Sequence, residues 1–261
     1  MAFPDRYGPL AVVTGASSGI GAGFAEELAA RGLDLLLVAR RGEHLQQLAV
    51  RLRNECDVAV EVLVADLAHP VGIESLARVL QGRDCGLLVS NAGFGLKGAH
   101  EDNDPAVMAE MLQLNCQAPL QLCHRLIPAL RARGRGGIII TSSVEGLMGV
   151  PYSSVYAASK AFTNSLAEGL WGELSPAGID VLALCPGSTD TEAHEKQGID
   201  RSTLEGMMSP REVAREALDN LAKGPVYVAG EQNRAMFDGL LAMPRREALL
   251  ALGDNIRRAL L

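Results

Sequence analysis

The chain has 261 residues, 48% hydrophobic and 21% charged, proportions that allow a packed core and exclude a disordered chain. At that length about three quarters of the unfolded surface can be buried, so neither disulfides nor a structural metal is required. A formal net charge of −7 argues against a nucleic-acid groove, where clustered Lys and Arg would have to neutralise phosphates.

Apolar runs alternate with amphipathic stretches along the whole chain. Strands are expected at Leu10–Thr14, Asp34–Ala39, Val58–Ala65, Gly86–Ser90, Gly136–Ser142, Ile179–Cys185 and Pro225–Val228. Several are almost continuous in Val, Ile and Leu, as strands buried on both faces are. Helices are expected over 19–31, 42–55, 70–82, 103–132, 152–176 and 210–222; the first carries Ile20, Phe24 and Leu28 four apart, a stripe for the sheet. Strand–helix alternation with right-handed crossovers predicts an α/β fold, a doubly wound domain with a seven-stranded parallel sheet. No linker divides the chain, so 1–261 reads as one domain, with 233–261 a C-terminal helical extension. That extension carries Phe237, Leu240, Leu241, Met243, Leu249, Leu252, Ile256 and Leu260 at partly helical spacing. A neighbouring subunit, a peripheral membrane contact and the chain's own domain all remain open as its partner.

Five cysteines (Cys56, Cys85, Cys116, Cys123, Cys185) form no C-x-x-C pair and the five histidines show no ligand spacing, so no metal is expected. The thiols read as small apolar residues in a reducing compartment. No charged n-region followed by an apolar core opens the chain, and no apolar run approaches the ~20 residues of a membrane span. A cytoplasmic location with no transmembrane segment is the expectation.

In a doubly wound sheet, ligands bind outside the carboxyl ends of the strands, where the winding reverses. Unusual segments fall there. Thr14-Gly15-Ala16-Ser17-Ser18-Gly19-Ile20-Gly21 joins the first strand to its helix. Glycines at such a junction permit positive φ and let backbone N–H groups approach a pyrophosphate at the helix N-terminus; a tight turn without a ligand is the plainer reading. The second strand ends in Ala39-Arg40-Arg41. An acid there would bind the ribose hydroxyls of NAD, whereas Arg40 and Arg41 suit a 2′-phosphate, which favours NADP(H) over NAD(H). A solvated helix start would use the same arginines. Tyr156 and Lys160 lie four apart on one face of the helix 152–176. An ammonium beside a phenol lowers its pKa from about 10 towards working pH, which makes Tyr156 a candidate proton donor and acceptor.

These segments, with Asp66-Leu67, Asn91-Ala92-Gly93, Asn115, Ser143 and Pro186-Gly187 in the same order, resemble the short-chain dehydrogenase/reductase family over about residues 8–230. The resemblance implies a Rossmann-type fold and hydride transfer between a nicotinamide and a carbonyl or alcohol. It gives Tyr156 the proton transfer and Lys160 the nicotinamide ribose. Ser143, thirteen residues before Tyr156, would hold the substrate oxygen in preference to its neighbour Ser142. Asn115 would distort its helix and hold a water beside the lysine. For the cofactor it implies Gly15, Ser17, Ser18, Gly19, Ile20, Gly21, Asp66 and Leu67 at the adenosine and phosphate end. Asn91, Ala92, Gly93, Pro186, Gly187, Thr189 and Thr191 would lie towards the nicotinamide. Ser90 stands where the family usually has asparagine. Each residue has a bland alternative: a helix surface pair, a strand-end cap, a solvated polar position, or for Asp66 an ordinary N-cap. Their agreement at strand ends favours the enzyme.

Phe94–His100, Val144–Tyr152 and Thr191–Met208 are expected to wall the substrate site, the second rich in apolar groups and the third polar and glycine-containing, as a lid would be. An apolar cavity with few fixed charges suits a ketone, a steroid-like molecule or an acyl chain. The sequence looks most like the branch with bacterial general reductases and 17β-hydroxysteroid dehydrogenases, and the family implies a homo-oligomer. A non-catalytic NADP(H)-binding sensor with a protein partner is the alternative.

Overall fold

The computed structural model describes residues 1–192 and 206–260. After the short α1 (Phe3–Tyr7), seven strands form one parallel sheet in the order β3-β2-β1-β4-β5-β6-β7. They are β1 (Leu10–Thr14), β2 (Asp34–Ala39), β3 (Val60–Val64), β4 (Cys85–Ser90), β5 (Gly136–Thr141), β6 (Ile179–Cys185) and β7 (Val226–Val228). Between them run α2 (Gly19–Ala30), α3 (Gly42–Glu55), α4 (Pro70–Leu80), α5 (Pro105–Leu112), α6 (Ala118–Arg133), α7 (Ser154–Leu174) and α8 (Pro210–Asn220), with α9 (Glu231–Ala242) and α10 (Arg245–Leu260) at the end.

Successive side chains of a strand point to opposite faces, and the core is split accordingly. Ala11, Val13, Leu35 and Leu37 pack with Phe24, Leu28 and Val213 of α2 and α8 on one face. Val12, Leu36, Val38 and Ile138 pack with Leu76, Leu122 and Ala167 of α4, α6 and α7 on the other. Every residue of β1, β4 and β5 is buried, which is why those strands read as unbroken apolar runs. At the sheet edge β3 starts later than expected, because Val58 N–H bonds back to Cys56 O in a turn. β5 stops at Thr141, leaving Ser142 and Ser143 beyond the strand.

The single helix expected over 103–132 is three pieces. Asp104 caps α5, its carboxylate accepting from Ala106 N at 2.8 Å. Gln113–Gln117 form a π-helical turn, and only then does α6 run to Gly134, whose φ of 64° ends it.

α9 and α10 pack on the chain itself. Phe237 is buried with Val144 and Cys185, and Ala248 is fully covered. A Cβ on Gly253 would lie 3.3 Å from Pro151, so α10 is seated on the segment after β5. Among the described residues, no helix is long and apolar enough to cross a membrane.

Candidate active site

The winding reverses between β1 and β4, and the loops that leave those strands are stitched together there. Thr14 Oγ1 accepts from the backbone N–H groups of Asn91 (2.9 Å) and Ala92 (3.0 Å), while Asn91 Nδ2 donates to Thr14 O at 3.1 Å. Gly15 has φ 67° and lies so close to Ala92 that a Cβ would sit 2.9 Å from its Cα, so only glycine suits the position. Gly21 presses on the same turn, 2.3 Å separating its ideal Cβ from Gly15 O. The result is a cleft of about 200 Å³ lined by Gly15, Ser17, Ser18, Arg40, Asp66 and Gly93, among others. Ser18 makes no side-chain cap to the first turn of α2, whose N–H groups and dipole open on this cleft. A cradle floored by glycines with helix N–H donors fits a dinucleotide pyrophosphate.

The two arginines occupy different places. Arg41 braces the glycine loop: its guanidinium donates to Ser17 Oγ (3.2 Å) and Ser18 Oγ, and pairs with Glu192 at 2.9 Å. Arg40 is 59% exposed at the rim, with Glu110 at 3.6 Å and Asp66 at 3.9 Å. Asp66 Oδ1 accepts from Ala68 N at 3.0 Å, and Leu67 turns into the core. Ile20 also packs against the core. After β6, Pro186 O accepts from Val144 N at 3.1 Å, and Thr189 Oγ1 donates to Gly187 O at 3.1 Å. The Thr191 side chain lies 3.0 Å from the ideal Cβ position of Gly19, so this loop closes over the glycine loop.

The polar residues expected to act on substrate converge at the far side of the cleft. Ser142 faces α7, donating to Lys160 O at 2.9 Å, whereas the Ser143 hydroxyl meets the Tyr156 phenol. Ser143 Oγ also accepts from Glu145 N at 3.1 Å. Lys160 is buried; its Nζ donates to Thr141 O at 2.8 Å and lies 5.6 Å from the centre of the Tyr156 ring. Asn115 sits in the π-helical turn, where its carboxamide can leave the helix face. Its Oδ1 accepts from Phe94 N (3.1 Å), and its Nδ2 donates to Phe94 O (2.9 Å) and Ser159 Oγ (3.1 Å). Gly93 is tight against this group, an ideal Cβ lying 2.8 Å from Asn115 Oδ1 and 3.5 Å from Lys160 Nζ. Gly93→Ala is expected to cost about 1–3 kcal/mol through overpacking. An unchanged Tm in thermal unfolding would show that the carboxamide simply swings aside.

One expectation is reversed. Burial pushes the Tyr156 phenol above the usual tyrosine range, and the Glu145 carboxylate adds to this, opposed by the hydrogen bond from Ser143. Lys160 spends a donor on Thr141, and burial sets the direction of the shift. The half-buried ring still reaches solvent, which tempers the effect. Lys160 is itself lowered to about 8 by burial, partly offset by the Cys116 and Cys185 thiols and Glu145.

Around the site, Val144, Met148 and Val150 are buried in the core, with Leu147 packed beside the Phe237 cluster. Leu96, Met108 and Tyr152 face Tyr156 across a small depression. Tyr152 adopts φ 61°, an outlier for a bulky side chain and a mark of a constrained wall. Of the expected third wall, 193–205 lie outside the described residues. Sequence reasoning missed Lys97 and Glu145, which pair beside Tyr156 at 2.5 Å. It also missed Asn233, packed on Gly187. Their partners are dozens of residues away and no spacing rule relates them. A surface cleft of about 1110 Å³ between α4 and α6 lies at the opposite end of the sheet from the carboxyl ends of the strands, beside the start of β4 at Cys85. At that cleft Arg125 pairs with Glu74 at 2.7 Å and Arg83 with Glu61 at 2.6 Å. Among the described residues no cluster could hold a metal ion.

Comparison with known proteins agrees with this geometry. The family model for short chain dehydrogenases matches residues 9–202. A 7beta-hydroxysteroid dehydrogenase of Clostridium sardiniense is 33% identical over 254 residues, 97% of each chain. The structure of a short-chain dehydrogenase from Sphingobium yanoikuyae in complex with NADPH is 37% identical, covers 93% of this chain and 95% of its own, and superposes with a TM-score of 0.83. A structure of a 7beta-hydroxysteroid dehydrogenase, solved to explain its stereoselectivity, reaches 0.90 at 27% identity, over 97% of this chain and 100% of that one. A seven-stranded doubly wound sheet, a glycine cradle at its switch point and a family match over most of the chain lead to one assignment: this chain belongs to the short-chain dehydrogenase family, oxidoreductases of hydroxyl and carbonyl groups whose fold holds a nicotinamide cofactor.

Proposed function

We propose that the protein is an NADP(H)-dependent carbonyl reductase, reversible as an alcohol dehydrogenase, acting on an apolar ketone of hydroxysteroid-like bulk through one catalytic domain. The observation that carries the reading is the convergence of Ser143, Tyr156 and Lys160 beyond β5, beside the glycine cleft. The relatives named as 7beta-hydroxysteroid dehydrogenases support the substrate class, and the NADPH complex supports the cofactor.

Gly15, Ser17, Ser18, Gly19 and the N-terminus of α2 would hold the pyrophosphate, Arg40 and Arg41 the 2′-phosphate, and Asp66 the adenine. Gly93, Gly187, Thr189, Thr191 and Lys160 would hold the nicotinamide end. A bound nicotinamide supplies or accepts the hydride. In reduction, Tyr156 gives its phenolic proton to the substrate oxygen while Ser143 donates a hydrogen bond to that oxygen. Lys160 steadies the phenolate that remains, and Asn115 holds Phe94 and Ser159 so that cleft and helix keep their spacing. Exposed Leu112, Leu120, Phe162 and Trp171 on α5, α6 and α7 support assembly as a homo-oligomer.

Fluorescence titration with NADPH and NADH, followed by a panel of ketones and alcohols, tests the reading. Arg40→Ala should weaken NADPH about tenfold or more, the worth of a charge-assisted phosphate contact, with NADH unaffected. Arg41→Ala should weaken both, because it frees Ser17 and Ser18. Equal losses for the two cofactors in Arg40→Ala would defeat the specificity argument. Tight NADPH binding with no turnover across the panel would leave the sensor instead.

A further inference from the structure

A second lysine stands at the site. Lys97 lies on the loop after β4, its side chain only 5% exposed. Its Nζ donates to Glu145 Oε1 at 2.5 Å and to Ser153 Oγ at 2.9 Å, and lies 5.7 Å from the centre of the Tyr156 ring. With Lys97 itself, these contacts join three segments. Glu145 is two residues beyond Ser143, and its own N–H is bonded to the Ser143 hydroxyl. Ser153 is the buried N-cap position of α7, three residues before Tyr156. The backbone bond from Gly98 N to Tyr152 O, 2.9 Å, runs alongside.

We propose that Lys97 is a positioning residue for hydride transfer, its ammonium clamping the loop after β4, the Ser143–Glu145 loop and the first turn of α7 around Tyr156, with Glu145 as the counter-charge that keeps the clamp neutral. The inference rests on the carbonyl-reductase reading above. A buried ammonium is kept in an apolar wall only when paired and hydrogen-bonded, and here both conditions are met. The pair also costs something, since Glu145 Oε2 is buried without a hydrogen-bond partner among the described residues. A pair that serves only to hold two loops together has no need to stand against the reacting phenol. Its placement gives Tyr156 a second neighbouring ammonium, Lys160 lying 5.6 Å and Lys97 5.7 Å from the ring centre.

The electrostatic consequence distinguishes this role from simple bracing. The groups facing Tyr156 are Lys160 on its own helix, Lys97 from the loop after β4, Glu145 and Ser143 after β5, and the Cys185 thiol at the end of β6. Burial and then Glu145 favour the protonated phenol, and a cation where Lys97 stands acts in the opposite sense. Neutralising one member of the pair therefore shifts the proton affinity of Tyr156 in a direction set by the charge left behind, while neutralising both restores the balance.

The test is the pH profile of kcat/KM for alcohol oxidation, in which Tyr156 must be ionised to accept the proton. Glu145→Gln should move the rising limb to lower pH by about one unit and Lys97→Met to higher pH by a similar amount, with the double variant returning near the parent. Lys97→Arg, which keeps charge and donors, should keep the parent limb even if packing lowers kcat. Circular dichroism and Tm identify a variant that has not folded, and the Glu145→Gln and Lys97→Arg profiles then decide. Limbs that coincide in every folded variant, with only Tm or kcat reduced, would reduce the pair to a structural brace and overturn the proposal. A parent with no turnover would overturn the carbonyl-reductase reading and this inference with it; a parent that turns over with unmoved limbs overturns the inference alone.

Discussion

Tyr156→Phe should lower kcat/KM for ketone reduction by about 10²–10⁴-fold, the usual worth of a positioned general acid, while NADPH binds within about twofold of the parent. The substitution removes one oxygen and keeps the ring beside Lys97 and Lys160, so the fold and the cleft at the glycine loop should be undisturbed. The direction of the pH dependence follows from the shift of this phenol. Burial and Glu145 raise it, so it carries its proton throughout the neutral range, as a proton donor must. Reduction should therefore hold a plateau through neutral pH and fall only as the phenol ionises in alkali, whereas oxidation should climb with pH. Stopped-flow and steady-state profiles in both directions measure this. A loss of less than tenfold in Tyr156→Phe, or oxidation that is fastest in acid, would remove Tyr156 from the proton transfer.

Lys160→Met should abolish most turnover and yet unfold at a higher urea concentration than the parent at pH 7. The folded-state value of Lys160 is lowered to about 8 from an ordinary 10.5. Below pH 8 the ammonium is charged in both folded and unfolded chains, and folding must desolvate it. Between about 8 and 10.5 the unfolded chain binds the extra proton, so parent stability rises with pH across that window and levels off above it. At 1.36 kcal/mol per pH unit the penalty at neutral pH is on the order of 3 kcal/mol, less about 1–2 kcal/mol for leaving the Thr141 carbonyl without its donor. The variant's advantage should shrink between pH 8 and 10.5. Urea midpoints that differ by the same amount at pH 7 and pH 10 would show that the ammonium is not desolvated on folding.

The strands were readable because β1, β4 and β5 are covered on both faces and carry almost nothing but Val, Ile, Leu and small residues. The cleft was readable because three glycines cluster at one strand-to-helix junction together with other unusual segments at strand ends, and Gly15 does take φ 67° against Ala92. Three things were not. The helix over 103–132 keeps an apolar pattern through its π-helical turn, so nothing periodic announces the break. The spacing of Tyr156 and Lys160 correctly put both on one face, but spacing carries no information on burial, and burial reversed the sign of the phenol's shift. Lys97, Glu145 and Ser153 come from separate loops, so their contact exists only once the sheet has brought β4 and β5 side by side.

The π-helical turn at Gln113–Gln117 is also a gearbox for the stretch that contains it. A residue advances an α-helix by about 100°, so one surplus residue rotates everything downstream by roughly that angle relative to everything upstream. α5 and α6 therefore present their apolar stripes in different directions: Met111 is buried upstream of the turn, while Leu122, Leu126 and Leu130 downstream join the core with β4 and β5. Deleting Gln113 to restore regular winding would force a choice between those burials. The phase offset is thus locked in by packing at both ends, which lets an asparagine keep an outward-turned amide in the middle of a helix without any local sequence signal to hold it there.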